Sequence, residues 1–154
     1  MASTKDSKSI GTTKTLVTDS RFFSQEFNTA IIDGPLRIYF SAKQEQEALH
    51  IYFEVQQFLA DRGLALNMFS HSNPHFYLML YPTKQSFINV FSWEDSSVYD
   101  RFQDHLVLGL DSSESVRDAK ELGEEIGTHF EFAMQSKGRW PTSVSSTAHA
   151  EVAQ

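Results

Sequence analysis

The six residues Phe76-Tyr77-Leu78-Met79-Leu80-Tyr81 constrain the fold more than any other stretch, because they are apolar at both the odd and the even positions. A strand alternates its side chains between two faces, so such a run belongs at the centre of a sheet covered on both sides, or carries a binding surface on one of them. Pro82 removes a backbone donor and closes the strand. Two further runs, Phe27 to Ile32 and Leu36 to Phe40, are hinged at Asp33-Gly34-Pro35, turn chemistry that predicts a hairpin. Within the second run Leu36, Ile38 and Phe40 face one way and Arg37 and Tyr39 the other.

Helical spacing begins at Ser41. Ala48, Ile51, Tyr52, Val55, Phe58 and Leu59 make one apolar stripe, with Gln46, Glu54, Gln57 and Asp61 on the opposite side. Ser41 and Gln44 have capping-box spacing, and Gly63 stands where a C-terminal cap belongs. Leu64 to Ser70 is expected to be a strand that pairs with Phe76 to Tyr81 through the loop His71 to His75. Thr83 is placed to cap a short helix through Phe87 and Phe91. Val98 to Phe102 reads as helical, and His105 to Leu110 as a strand or as a continuation of that helix. A last helix is expected over Ser112 to Gln135, with Asp111 and Glu114 as its capping pair and Val116, Ala119, Gly123, Ile126, Phe130 and Ala133 on its core side. Gly123 and Gly127 each cost a helix about 1 kcal/mol relative to Ala, so close helix-on-sheet packing inside the monomer is expected against them, with a dimer seam as the alternative.

These elements predict an α+β fold: a mainly antiparallel sheet of four to five strands covered by two main helices, in the order ββαββα(β)α. A single domain is expected over 21–140, with flexible tails at 1–20 and 141–154, where Ser, Thr, Ala and Lys dominate and large apolar groups are too few to offset ordering entropy. The 154 residues suffice for one core, and 13 Phe side chains make it aromatic.

Composition narrows function by exclusion. The absence of Cys removes thiolate metal sites and Cys nucleophiles and fits a reducing compartment. A net charge of −7 disfavours nucleic acid and anionic membranes, and suits a basic or neutral protein partner. No segment has the apolar length of a membrane span or of a secretory signal, which makes the cytoplasm the expected location. Glycine-rich phosphate loops, dinucleotide fingerprints and nucleophile elbows are all missing, so no cofactor and no catalytic residue is expected.

One motif comes close to a chemistry. Glu124-Glu125-Ile126-Gly127-Thr128 matches the helical HExxH pattern of zinc hydrolases at its general-base position only, since Glu124 and Thr128 stand where the two His ligands belong. Together with the order of Leu36 to Phe40, the helix over Ala48 to Leu59 and Leu78-Met79-Leu80-Tyr81-Pro82-Thr83, it resembles the amino-terminal half of zincin-type (peptidase MA-like) domains over about residues 27 to 130. The resemblance implies a related fold without the standard zinc mechanism.

The expected function is therefore a non-enzymatic adaptor or chaperone-like module. Its candidate contacts are an acidic stripe of Glu114, Asp118, Glu121 and Glu125 on the last helix and an aromatic sheet face of Tyr39, Tyr77 and Tyr81, joined by Trp93. The alternatives are a metal-dependent hydrolase using Glu125 and His129, which face together at i and i+4, and a small-molecule binder with a pocket between sheet and helices. His71 and His75 are a further candidate metal pair, but as loop residues their ordinary role is polar solvation, while His50 and His105 read as packing residues.

Overall fold

The computed structural model describes residues 22, 26–69, 74–92, 95–102, 104–114, 118–136 and 140. The proposed tails, Trp93 and His71 lie outside these. Five strands form one sheet: β1 (Thr29–Asp33), β2 (Leu36–Phe40), β3 (Phe76–Tyr81), β4 (Ser97–Phe102) and β5 (His105–Asp111), in the spatial order β1-β2-β3-β5-β4. The helices are α1 (Glu45–Ala60), α2 (Lys84–Phe91) and α3 (Ala119–Gln135). The fold is α+β, but the sheet is mixed rather than mainly antiparallel, since β3 lies parallel to both β2 and β5 and only the outer pairs β1/β2 and β4/β5 are antiparallel. The element order is accordingly ββαβαββα.

The central strand explains the arrangement. Leu78 and Leu80 sit in the core beneath α1 and α3, while Met79 and Tyr81 sit in a second core on the opposite side. Burying both faces this way removes the apolar surface of β3 from water twice over. The Asp33-Gly34-Pro35 hinge forms the expected hairpin, with Gly34 at φ +58°. A Cβ at Gly34 would stand 2.6 Å from the carbonyl oxygen of Leu66, so the turn needs glycine for space as well as conformation.

Leu64 to Phe69, the described part of the Leu64 to Ser70 stretch, is not a strand. A parallel β2/β3 pair needs a crossover rather than a hairpin partner, and α1 supplies it. The described part of this stretch instead turns through a short 3₁₀ segment, Leu66–Met68, that buries Leu66 and Phe69 at i and i+3 against the helix-side core. Val98 to Phe102 and His105 to Leu110 pair as a hairpin, because Val98 and Tyr99 are each buried on a different face, a period of two rather than 3.6.

The last helix starts later than expected. Asp111 ends β5 and turns the chain, its Oδ1 accepting the Ser113 amide at 3.0 Å, and the helix N-cap is Asp118, whose Oδ1 accepts from the Lys120 amide. Ser41 and Gln44 do meet, but side chain to side chain at a 3₁₀ turn that precedes α1. Gly123 and Gly127 both face α1: a Cβ on Gly123 would lie 2.3 Å from the Cβ of Glu54, and one on Gly127 would lie 2.3 Å from the Phe58 ring. The close neighbour is thus inside the monomer, a helix rather than the sheet.

Candidate functional site

Among the described residues, α2 is shorter than the sheet face it lies on. Eight residues of α2 span about 12 Å, against roughly 20 Å for the six residues of β3. Thr83 caps α2 directly after β3, its hydroxyl accepting the Ser86 amide at 3.1 Å, so the helix lies over the carboxyl-terminal half of the strands. It ends at Ser92, which takes a left-handed conformation at φ 60°. Phe91 comes down on Gly109, where a Cβ would stand 2.1 Å from the ring. Phe22 and Phe27 complete this cover, and the Tyr81 hydroxyl donates to the Phe22 carbonyl.

Below that level the register lines up Ile32, Arg37, Tyr77, Val107 and Asp100 across the five strands. His75 and His105 follow at the amino-terminal edge of β3 and β5. Arg37, His75, Tyr77 and His105 are partly buried and Ile32 is 36% exposed. Among the described residues, titratable side chains gather at this level, a ledge beside the buried Val107, where packed rings fill the level above.

Its hydrogen bonds fix the protonation states. Arg37 Nη2 lies 3.3 Å from His75 Nε2, and since a guanidinium only donates, that nitrogen accepts and the His75 proton sits on Nδ1. The His75 amide donates to His105 Nδ1 at 3.0 Å, which leaves the His105 proton on Nε2. Both rings are therefore neutral, stacked with centroids 4.9 Å apart. Burial, then Arg37 and His105 close by, lower the His75 pKa to about 4. Burial also lowers that of His105, against the opposing pull of Asp104. The Tyr77 phenol is raised by burial, opposed by the Arg37 guanidinium hydrogen-bonded to it. His75 Nδ1 is buried with no partner among the described residues.

The residues expected to form the site are dispersed. Tyr39 and Tyr81 are buried in the second core against Phe27, Phe87 and Phe91, so they are packing residues and not a contact surface. Burial pushes the Tyr39 phenol up to about 12. Tyr77 alone of the three reaches the ledge, stacked on Tyr39 at 5.9 Å.

The acidic stripe is not one helix face. Glu114 lies in the turn after β5 and pairs with Lys84 at 3.3 Å, Asp118 caps α3, Glu121 is exposed in the first turn, and Glu125 accepts from the Tyr99 hydroxyl at 2.5 Å. His129 packs its ring on Tyr99 and Phe76, at 5.2 and 5.8 Å, and burial lowers its pKa. Glu125 and His129 thus already have partners in the core wall, and among the described residues no three His, Asp or Glu side chains converge as metal ligands. Glu124 instead lines a cleft of about 280 Å³ between α1 and α3, with Glu54, Asp61, Arg62 and Lys120.

Sequence reasoning passed over Arg37, and treated His75 and His105 separately. The signal was present in Arg37 alternating with Ile38 and Tyr39, a charge on a strand position whose next same-side neighbour is an aromatic. No family model, no curated protein and no solved structure matches the chain. Among the described residues no helix is long and apolar enough to cross a membrane.

Proposed function

We propose that the chain is a non-enzymatic adaptor or chaperone-like module of the cytoplasm that binds another protein on the part of its sheet face that α2 does not reach. The observation that carries this reading is the row of Ile32, Arg37 and Tyr77, which keeps an apolar group, a cation and a phenol side by side on a rigid sheet that α2 is too short to cover. Sheet positions hold contact groups with little entropy left to lose on binding, and Arg and Tyr are the residue types that most often dominate binding energy. The aromatic sheet face is retained in this reading through Tyr77, while Asp118 is assigned to capping, Glu125 to its contact with Tyr99, and the exposed Glu121 to no contact.

A photo-crosslinking amino acid at residue 32, compared with one at Phe53, tests the reading in the protein's own cell extract. Phe53 is the better exposed control, at 58%, on the outer side of α1. The expected result is a discrete conjugate from position 32 that weakens with Arg37→Gln and with Tyr77→Ala. Equal conjugates from both positions, or indifference to both substitutions, contradict it.

A further inference from the structure

We propose that Arg37, His75 and His105 form a binding site for one oxyanion, the carboxylate or phosphoryl group of a side chain on the docked protein. The inference rests on the docking reading above and gives that surface its chemistry. Arg37 carries its charge on a sheet face with His75, Tyr77 and Gly34 as its acceptors, none of them anionic. No carboxylate pairs with it among the described residues. A partly buried guanidinium is ordinarily matched by an anion, and among the described residues none is in place.

The neighbouring groups point the same way. With His75 Nε2 and His105 Nδ1 both occupied as acceptors, the nitrogens left over are both donors, His75 Nδ1–H and His105 Nε2–H. Of these, His75 Nδ1–H is buried without a partner among the described residues and lies on the side of the ring away from the Arg37 contact. The nearby acids are otherwise engaged or outside the cluster: Asp100 Oδ1 accepts the Arg101 amide at 2.6 Å, and Asp104 is exposed beside His105. A neutral or basic partner that presents one carboxylate or phosphate satisfies this site without opposing the chain's overall negative charge.

The site also couples binding to protonation. An oxyanion that takes over the Arg37 guanidinium frees His75 Nε2 from its role as the acceptor of Arg37, and that nitrogen donates to the anion only once it has taken up a proton. Binding then strengthens as pH falls, because the bound form holds more protons than the free one. The charged and titratable groups that set this response are Arg37, Tyr77, Tyr39, His105 and Asp104.

The test is an NMR titration of the full ¹⁵N-labelled chain with sodium sulfate, which stays dianionic from pH 5.5 to 7.5, against sodium chloride at matched ionic strength. Sulfate is expected to move the His75 and His105 ring signals and the Arg37 Nε–H signal saturably, more tightly at pH 5.5 than at 7.5. Arg37→Gln is expected to weaken this by about tenfold or more, the scale of one lost charge-assisted contact. Arg37→Lys, which keeps the charge and loses the fork, is expected to fall between. Each variant's amide spectrum reports whether it is folded. A parallel titration with sodium acetate at pH 6.5 separates the sources: preference for acetate assigns a carboxylate, and preference for sulfate a phosphoryl group.

Shifts that chloride reproduces, or sulfate binding that survives Arg37→Gln in a folded chain, overturn the proposal. If those results accompany an intact crosslink at residue 32, the oxyanion site fails alone. If the crosslink is absent too, the docking reading fails with it.

Discussion

The Nε2 atom of His75 faces a guanidinium nitrogen of Arg37 at 3.3 Å, which makes the histidine an acceptor and holds it neutral. The NMR titration of the His75 ring is therefore expected to give a pKa of about 4. Burial is the larger cause and the Arg37 charge the next, so Arg37→Gln should raise the value while leaving it below that of an exposed histidine. An unchanged value would mean that the two side chains do not meet in solution.

The same groups set how stability responds to acid. His75, His105 and His129 all have depressed pKa values in the folded chain, so between about 4 and 6.5 the unfolded chain binds more protons. Stability is fully present above pH 6.5 and falls as the pH drops through that window. Glu47, raised by burial and held back by its hydrogen bond to Ser112, works in the opposite sense just above pH 4.5. Three groups against one predict a lower urea midpoint at pH 5 than at pH 7.5. His75→Gln, which cannot take up the proton, should flatten the difference.

The α1/α3 contact makes a graded prediction. A methyl group on Gly123 meets the backbone of α1, at 2.9 Å from the carbonyl carbon of Glu54, whereas one on Gly127 meets only the Phe58 ring, which can turn away. Overpacking costs about 1–3 kcal/mol, and replacing a helical glycine by alanine returns about 1 kcal/mol. Gly123→Ala should therefore destabilise clearly and Gly127→Ala little, as measured by chemical denaturation.

The position of the helix cap is separately testable. Asp118→Ala should cost about 0.5–2 kcal/mol, the usual effect of removing an N-cap. Glu114→Ala, which removes an exposed pair with Lys84, should cost about 1 kcal/mol or less. The reverse ranking would place the start of α3 at Asp111 after all.

Much of this architecture is legible in local patterns. The hinge at Gly34, the stripe of α1, the Gly63 terminus and the Thr83 cap each depend on residues within a few positions of one another. What stayed hidden is non-local. Nothing near Leu64 to Phe69 tells that β3 pairs parallel with β2 and leaves that stretch to turn, and the spacing of Asp111 and Glu114 imitates a cap that belongs to Asp118. The site was obscured for the same reason: Arg37, His75 and His105 are brought together by strand register, and each looks ordinary in its own segment. Tyr39 and Tyr81 were misleading because alternation assigns a face and does not tell how far a helix covers it.

On the proposed function, another protein binds at the ledge around Arg37 and not at the acids of α3. The most direct measurement is the affinity of the crosslinked partner, once purified, for the unaltered chain, for Arg37→Gln and for Glu121→Lys. Loss of about tenfold or more with Arg37→Gln, at least 1.4 kcal/mol, and no change with Glu121→Lys is the predicted result. Weakened binding with Glu121→Lys and full affinity with Arg37→Gln would contradict it.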